Sequence, residues 1–295
     1  MKEYIEEYLM QLEVEGRAES TITNTKVRLN KITNYIPTLD DLNKKNVNNY
    51  ILSIKDGRKI TTVNEYIKTL RNFIQYLYEE EYISKIIPIK TLKPVKELST
   101  VISDDDVEYI IKKLKKDKKV KELTIFTTFI YTGIRVSELV EIKLDDIKND
   151  TIKIYSKKTK QYRLIPISPQ LKLQLQKYMR VRKDSEYLFS NRSGKQYSTL
   201  CIYRLIKNIS KYTSIYMHPH ILRHYYCINM LKKNVPINII SRLLGHVSIE
   251  TTMIYARELS NEEVLEVYKK YWWVVRVFAP LIPLPLIHVY IVKEE

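Results

Sequence analysis

Glycine is scarce in this chain: five in 295 residues, at Gly16, Gly57, Gly133, Gly194 and Gly245. Folds that cradle nucleotide phosphates need clustered glycines, because only a residue without Cβ lets the backbone approach the phosphates closely. These five are too far apart for G-x-G-x-x-G, and none pairs into G-x-x-x-x-G-K-[ST]. A dinucleotide fold and a P-loop ATPase of the usual kind are excluded.

Fifty Lys and Arg against 34 Asp and Glu leave a net charge of +16, which points to a polyanionic partner, most often nucleic acid. The content of 44% apolar and 28% charged residues is that of a globular protein. The length suggests two domains. Two cysteines, Cys201 and Cys227, cannot build a four-Cys zinc site or a disulfide framework, and fit a reducing intracellular setting. The first residues, MKEYIEEYLMQLEVEG, are charged and amphipathic and do not form a signal peptide.

Helical spacing dominates the first ninety or so residues. Residues 2–14 place Tyr4, Ile5, Tyr8, Leu9 and Leu12 on one face. Gly16 stops that helix, and a second runs on Val27, Leu29, Ile32 and Ile36. A third covers roughly 46–55, and a fourth runs from Thr61 or Thr62 through Leu77. Residues 1–87 are therefore expected to be a four-helix domain with basic outer faces that include Lys26, Lys68 and Arg71. Pro88 and Pro94 bar a continuous helix, so 88–100 is expected to be a linker.

The texture then changes. Ser103 followed by Asp104, Asp105 and Asp106 is a helix start, with acids where the dipole favours them. Residues 151–156 and 162–167 alternate apolar and polar side chains across a KKTKQ turn, a β-hairpin signature. Helices are expected at about 121–131, 169–181, 198–211, 220–232, 236–244 and 248–258. The fold class is mainly α with a small antiparallel hairpin or sheet (α+β). The second domain is expected at 101–260, and 261–295 as a further helix and an apolar tail.

Four segments stand out: Thr132-Gly133-Ile134-Arg135-Val136-Ser137-Glu138-Leu139, the Lys157-Lys158-Thr159-Lys160 turn, His218-Pro219-His220-Ile221-Leu222-Arg223-His224, and Leu243-Leu244-Gly245-His246 with Tyr255 nine residues on. His220, His224 and Cys227 share a helix face, but no further strong ligand of suitable spacing, neither a carboxylate nor a Cys pair, supports a metal site. Alone, each segment has a bland reading as surface charge or core. Their order is more specific. Arg, hairpin Lys, His-x-x-Arg, Gly-His and Tyr together resemble the tyrosine recombinase (phage integrase) family, Xer-type members included, over roughly residues 1–258.

The resemblance implies a helical core-binding domain followed by a catalytic domain. It implies that Arg135 and Arg223 grip a scissile phosphate, that His220 and His246 assist, and that Tyr255 is the nucleophile. Glu138 matches the acidic residue that holds the first arginine's surroundings. Counting back from Pro166 favours Lys158 as the hairpin lysine, with Lys157 left open. Lys157, Lys160, Arg163, Lys26, Lys68 and Arg71 are expected DNA contacts. A structural role for His224 is at least as plausible as a chemical one.

Two guanidiniums bind phosphate oxygens bidentately and stabilise developing charge without reorganising. A phenol with a pKa near 10 needs a base and a nearby cation. His220 and Arg223, three apart, share a helix face and can meet one phosphate. The implied reaction is transesterification through a 3′-phosphotyrosyl intermediate, with no metal, nucleotide or other cofactor. Duplex recombination sites are the implied partner, bound by a homo-tetramer on two duplexes, with a monomer or dimer free in solution. A type IB topoisomerase-like relaxase and a catalytically silent DNA-binding module are the alternatives. A cytoplasmic, nucleoid-associated location is expected, with an archaeal, viral or plasmid-type integrase as the source. The apolar tail 272–292 is long enough to cross a bilayer, but Arg276, Pro280, Pro283, Pro285 and His288 argue against a simple spanning helix; packing against the chain or a neighbour is expected ahead of an altered terminus or membrane contact.

Overall fold

A computed structural model describes residues 1–93, 102–157, 159–246 and 248–256. Lys158, most of the expected linker and the tail from 257 onward lie outside the described residues. The chain divides into two units, Met1–Leu98 and Ser99–Glu295.

In the first unit the apolar stripes become four helices: α1 (Lys2–Val14), α2 (Glu19–Asn30), α3 (Lys44–Lys55) and α4 (Ile60–Glu79). Ile5, Leu9, Leu29, Val47, Ile54, Val63, Ile67, Leu70, Phe73 and Leu77 interlock as one core. Asn43 starts α3 by accepting from the Asn46 amide at 3.0 Å. Tyr50 is 2% exposed, and its hydroxyl donates to the Arg28 carbonyl at 3.0 Å, as a buried phenol requires. Two expectations differ. α2 stops at Asn30 and tightens into a 3₁₀ turn, Ile32–Asn34. Pro37 disfavours helical backbone at Ile36, and the Thr33 hydroxyl donates to the Asn30 carbonyl. Val27, read as a core position, faces solvent at 54% exposure.

The second unit starts with α5 (Asp104–Lys116), whose capping box has both bonds in place. The Ser103 hydroxyl oxygen accepts from the Asp106 amide, and the Asp106 carboxylate accepts from the Ser103 amide. α6 (Val120–Thr132) is the buried centre. Its threonines 124, 127, 128 and 132 donate to carbonyls one turn back, which lets hydroxyls sit in an apolar core. A short α7 (Val136–Leu139) leads to the sheet.

The sheet is three-stranded, antiparallel and ordered β1 (Ile147–Lys148), β2 (Thr151–Ser156), β3 (Gln161–Pro166). Ile152 faces Ile165, and Ile154 faces Arg163. β1 was not expected, since two residues carry no alternation to read. α8 (Pro169–Met179), α9 (Thr199–Ile209), α10 (Pro219–Lys232), α11 (Ile237–Leu244) and α12 (Glu250–Ala256) complete the unit. The main core joins α5, α6, the sheet, α8 and α9. A smaller cluster of Tyr226, Cys227, Ile240 and Leu244, with Tyr255 against it, ties α10, α11 and α12 together. The molecule is mainly helical with a small antiparallel sheet. Among the described residues, no helix is long and apolar enough to cross a membrane.

Candidate active site

Gly133 ends α6 at φ 61°, a left-handed turn. A Cβ there would collide with the Tyr226 ring and lie 2.8 Å from Leu244, so only glycine lets α10 and α11 close over this turn. Two residues on, Arg135 is extended and opens α7. Glu138, one turn later, accepts from the Arg135 amide at 2.8 Å and from Arg135 Nη1 at 2.9 Å. β3 delivers a second cation to the same carboxylate: Arg163 Nη1 and Nη2 donate to the two Glu138 oxygens at 2.9 and 2.7 Å. Burial alone would raise the Glu138 pKa, but Arg163, then Arg135 and its amide, outweigh it and hold the carboxyl below its usual value.

Pro219 occupies the first turn of α10, where its missing N–H costs nothing. His220 follows it, and Arg223 lies one turn further. Arg223 is 3% exposed; Nη1 donates to the Gly133 carbonyl at 2.7 Å and Nη2 to the Leu244 carbonyl at 2.8 Å. Burial, then the neighbouring Arg135, lowers its pKa to about 10, which still leaves it charged at neutral pH.

The Leu244 carbonyl belongs to the end of α11, where the last carbonyls have no partner within the helix and carry the negative end of its dipole. Three guanidiniums collect there. Arg163 Nε donates to Leu243 O at 2.8 Å, Arg135 Nη2 to Gly245 O at 3.0 Å, and Arg223 to Leu244 O. Gly245 closes the helix at φ 66°. Its bare Cα is what Arg163 packs on, since a Cβ would sit 2.9 Å from Arg163 Nη1.

His246 follows directly, and its Nδ1 lies 2.7 Å from the buried Thr252 hydroxyl. Its ring lies parallel to that of Tyr255, with centroids 6.2 Å apart at 12°. His224 meets the same phenol edge-on at 4.8 Å. Burial, then Arg223, Arg135 and Arg163, pushes the His246 pKa down to about 4. His220 keeps a solvent-facing edge, yet burial of the rest, with His218, Arg223 and Arg135 nearby, lowers its pKa too. Both imidazoles are neutral at pH 7 and able to accept or relay a proton. The Tyr255 phenol lies within the electrostatic reach of Arg223. Beside the site a groove of about 780 Å³ opens between β3 and α11, lined by Lys153, Gln161, Arg242 and His246 among others.

The sequence pattern described as the phage integrase family matches residues 100–262, and that of the phage integrase N-terminal SAM-like domain matches 5–81. The chain belongs to the phage integrase family of tyrosine recombinases. The chain is 32% identical to tyrosine recombinase XerC of Thermodesulfovibrio yellowstonii over 236 residues, covering 74% of this chain and 77% of the relative. With tyrosine recombinase XerA of Pyrococcus furiosus it shares 30% over 264 residues, covering 86% and 89%. The fold matches the Tn1549 transposon integrase in complex with a circular-intermediate DNA, at TM-score 0.76 and 18% identity, over 90% of this chain and 99% of that one. The family match and the two relatives favour an enzyme of site-specific DNA recombination over the relaxase and silent-module alternatives.

In this recombinase Arg135, Glu138, His220, Arg223, His246 and Tyr255 come from α7, α10, the α11–α12 connection and α12 to one place. Lys158 lies outside the described residues. Lys157 is paired with Glu141, with its side chain 71% exposed, and Lys160 is exposed in a left-handed turn at φ 52°. Lys68 and Arg71 are exposed on α4, and Lys26 pairs with Glu6 at 3.0 Å. Arg163 departs from the expectation of a DNA contact. All three of its nitrogens donate inward, and its side chain is 12% exposed. Sequence reasoning missed its link to Glu138, 25 residues away, and the Thr252 hydroxyl on His246. Arg163 lies opposite the core residue Ile154 on a strand, an unusual place for a charge, and that was the available signal.

Proposed function

We propose that this recombinase cuts and rejoins duplex DNA at specific sites by attack of Tyr255 on one phosphodiester. The observation that carries this reading is the convergence of two guanidiniums, two neutral imidazoles and one phenol from separate elements. Arg135 and Arg223 would bind the non-bridging oxygens and oppose the charge that develops on them. Neutral His220 would accept the phenolic proton, and His246 would donate to a phosphate oxygen. The bond formed is Tyr255 O–P, and the bond broken is P–O5′. The leaving oxygen takes its proton from a hairpin lysine, Lys158 by the family's spacing. Attack by another strand's 5′ hydroxyl reverses the step, so the phosphoester energy is conserved and neither a metal nor a nucleotide enters the balance.

In the same reading residues 1–87 form the core-binding domain, and the assembly is a homo-tetramer holding two duplexes. Cation clusters such as Arg28, Lys31 and Arg58, which surround the Tyr66 ring at 5.9, 5.4 and 5.9 Å, would neutralise backbone phosphates. The site of action is the cytoplasmic nucleoid.

The test starts from duplexes selected by the full chain out of a random pool. The best binder, nicked so that the released fragment diffuses away, should trap a covalent 3′-phosphotyrosyl adduct in EDTA. Tyr255→Phe should form none. An adduct that persists in Tyr255→Phe would refute the nucleophile assignment.

A further inference from the structure

Arg163 stands on the hairpin that also carries the candidate lysines, yet it turns away from solvent. Its fork lies on Glu138, its Nε on the Leu243 carbonyl, and its flat face against Gly245. We propose that Arg163 is a positioning residue for strand cleavage, holding the Glu138 carboxylate and the end of α11 so that Arg135 and His246 meet the scissile phosphate in one arrangement. This rests on the reading of the site given above.

The argument is one of charge and geometry. Glu138 has one negative charge and four lone-pair directions. With Arg163 absent, both oxygens would be open to Arg135, which would settle onto the carboxylate as a closed pair and turn its charge from the substrate. Arg163 occupies one bidentate edge, so Arg135 keeps a single contact there, through Nη1, and leaves its other terminal nitrogen directed at Gly245 O. Three guanidiniums facing one carboxylate also keep the centre net cationic for an incoming phosphate. Through Leu243 O the same residue anchors the segment that places His246.

The groups facing Glu138 are Arg135 on its own turn, Arg163 from β3, Arg223 from α10 and His246 beyond α11. Loss of Arg163 leaves burial as the stronger influence on that carboxyl, so it takes a proton at higher pH than in the parent chain.

The test measures adduct formation at saturating concentrations of the nicked duplex, DNA affinity against salt, and the rate from pH 5 to 8, all with the full chain. Arg163→Gln should bind DNA with unchanged affinity and salt slope, cleave about 10²-fold more slowly, and lose further rate on the acidic side. Adding Glu138→Gln should remove that acidic loss and cost less than the two single changes combined. Arg163→Lys, which keeps the charge but not the fork, should fall between, and it carries the test where Arg163→Gln does not fold. Weaker binding with a flatter salt slope, but normal cleavage of bound DNA, would make Arg163 a DNA contact and overturn the proposal. Additive losses with an unchanged pH profile would make it merely structural, with the same consequence. No adduct with the parent chain on any selected duplex would refute the site reading, and this proposal with it.

Discussion

Arg223 is a permanent charge almost removed from water, and it is tolerable there because two backbone carbonyls accept its donors. Truncation to alanine takes away the proposed phosphate donor and leaves the Gly133 carbonyl without its partner. We expect Arg223→Ala to slow adduct formation at least 10²-fold while DNA binding, which draws on many other cations, changes little. Single-turnover cleavage beside a filter-binding titration checks this. His246 gives a different signature. Its pKa of about 4 in the folded chain lies below the 6.5 of an unfolded histidine, so below pH 6.5 the unfolded state binds the extra proton. Stability from the neutral ring is complete above pH 6.5 and is lost as pH falls toward 4. The melting-temperature advantage of the parent chain over His246→Gln should therefore shrink across that window in DNA-free protein. A constant difference from pH 7 to 4 would contradict the half-buried, arginine-flanked ring.

At the scale of elements, helix ends do most of the positioning. Gly245 is held left-handed and close to Arg163, so Gly245→Ala should cost about 1–2 kcal/mol in urea unfolding from backbone strain alone, and should reduce cleavage as Arg163 is displaced. Ser103→Ala breaks a capping box whose two bonds touch none of the site residues. It should cost about 1 kcal/mol and leave the cleavage rate of folded protein intact. These ends also show what a sequence makes legible. Ser103 with its following acids and Gly133 after α6 announce themselves because capping is local chemistry between residues three or four apart, whereas the Asn43 cap was passed over and the start of α3 was set two residues late. The hairpin was legible from alternation at Ile152, Ile154 and Ile165. β1 was not, because two residues have no period. The end of α2 was misplaced because Leu29 and Ile32 continue a helical stripe even where Pro37 tightens the backbone. His220, Arg223, His246 and Tyr255 were recognisable through their order and spacing. Arg163 was named for its charge alone, and its partner choice depends on a strand and two helices meeting, which no local pattern encodes.

At the scale of the whole molecule, the net charge of +16 resolves into two populations. Exposed cations such as Lys68 and Arg71 on α4 present charge outward, whereas Arg135, Arg163 and Arg223 are turned onto carbonyls and one carboxylate. If Lys68 meets a phosphate, Lys68→Ala should flatten the dependence of log affinity on log salt by about 0.9, measured by titrations at several salt concentrations. An unchanged slope would place DNA on another face of that unit. The inward population has a different kind of permanence. Its acceptors at Gly133, Leu243, Leu244 and Gly245 are main-chain oxygens, and no codon change deletes a main-chain oxygen. A genetic screen for chains that bind but fail to cut should recover the arginines, Glu138 and the glycines that admit them, while the main-chain acceptors stay beyond the reach of mutation. Selection for new target sites would thus be free to rework the outer helices, with the cutting centre inherited almost as a fixed part.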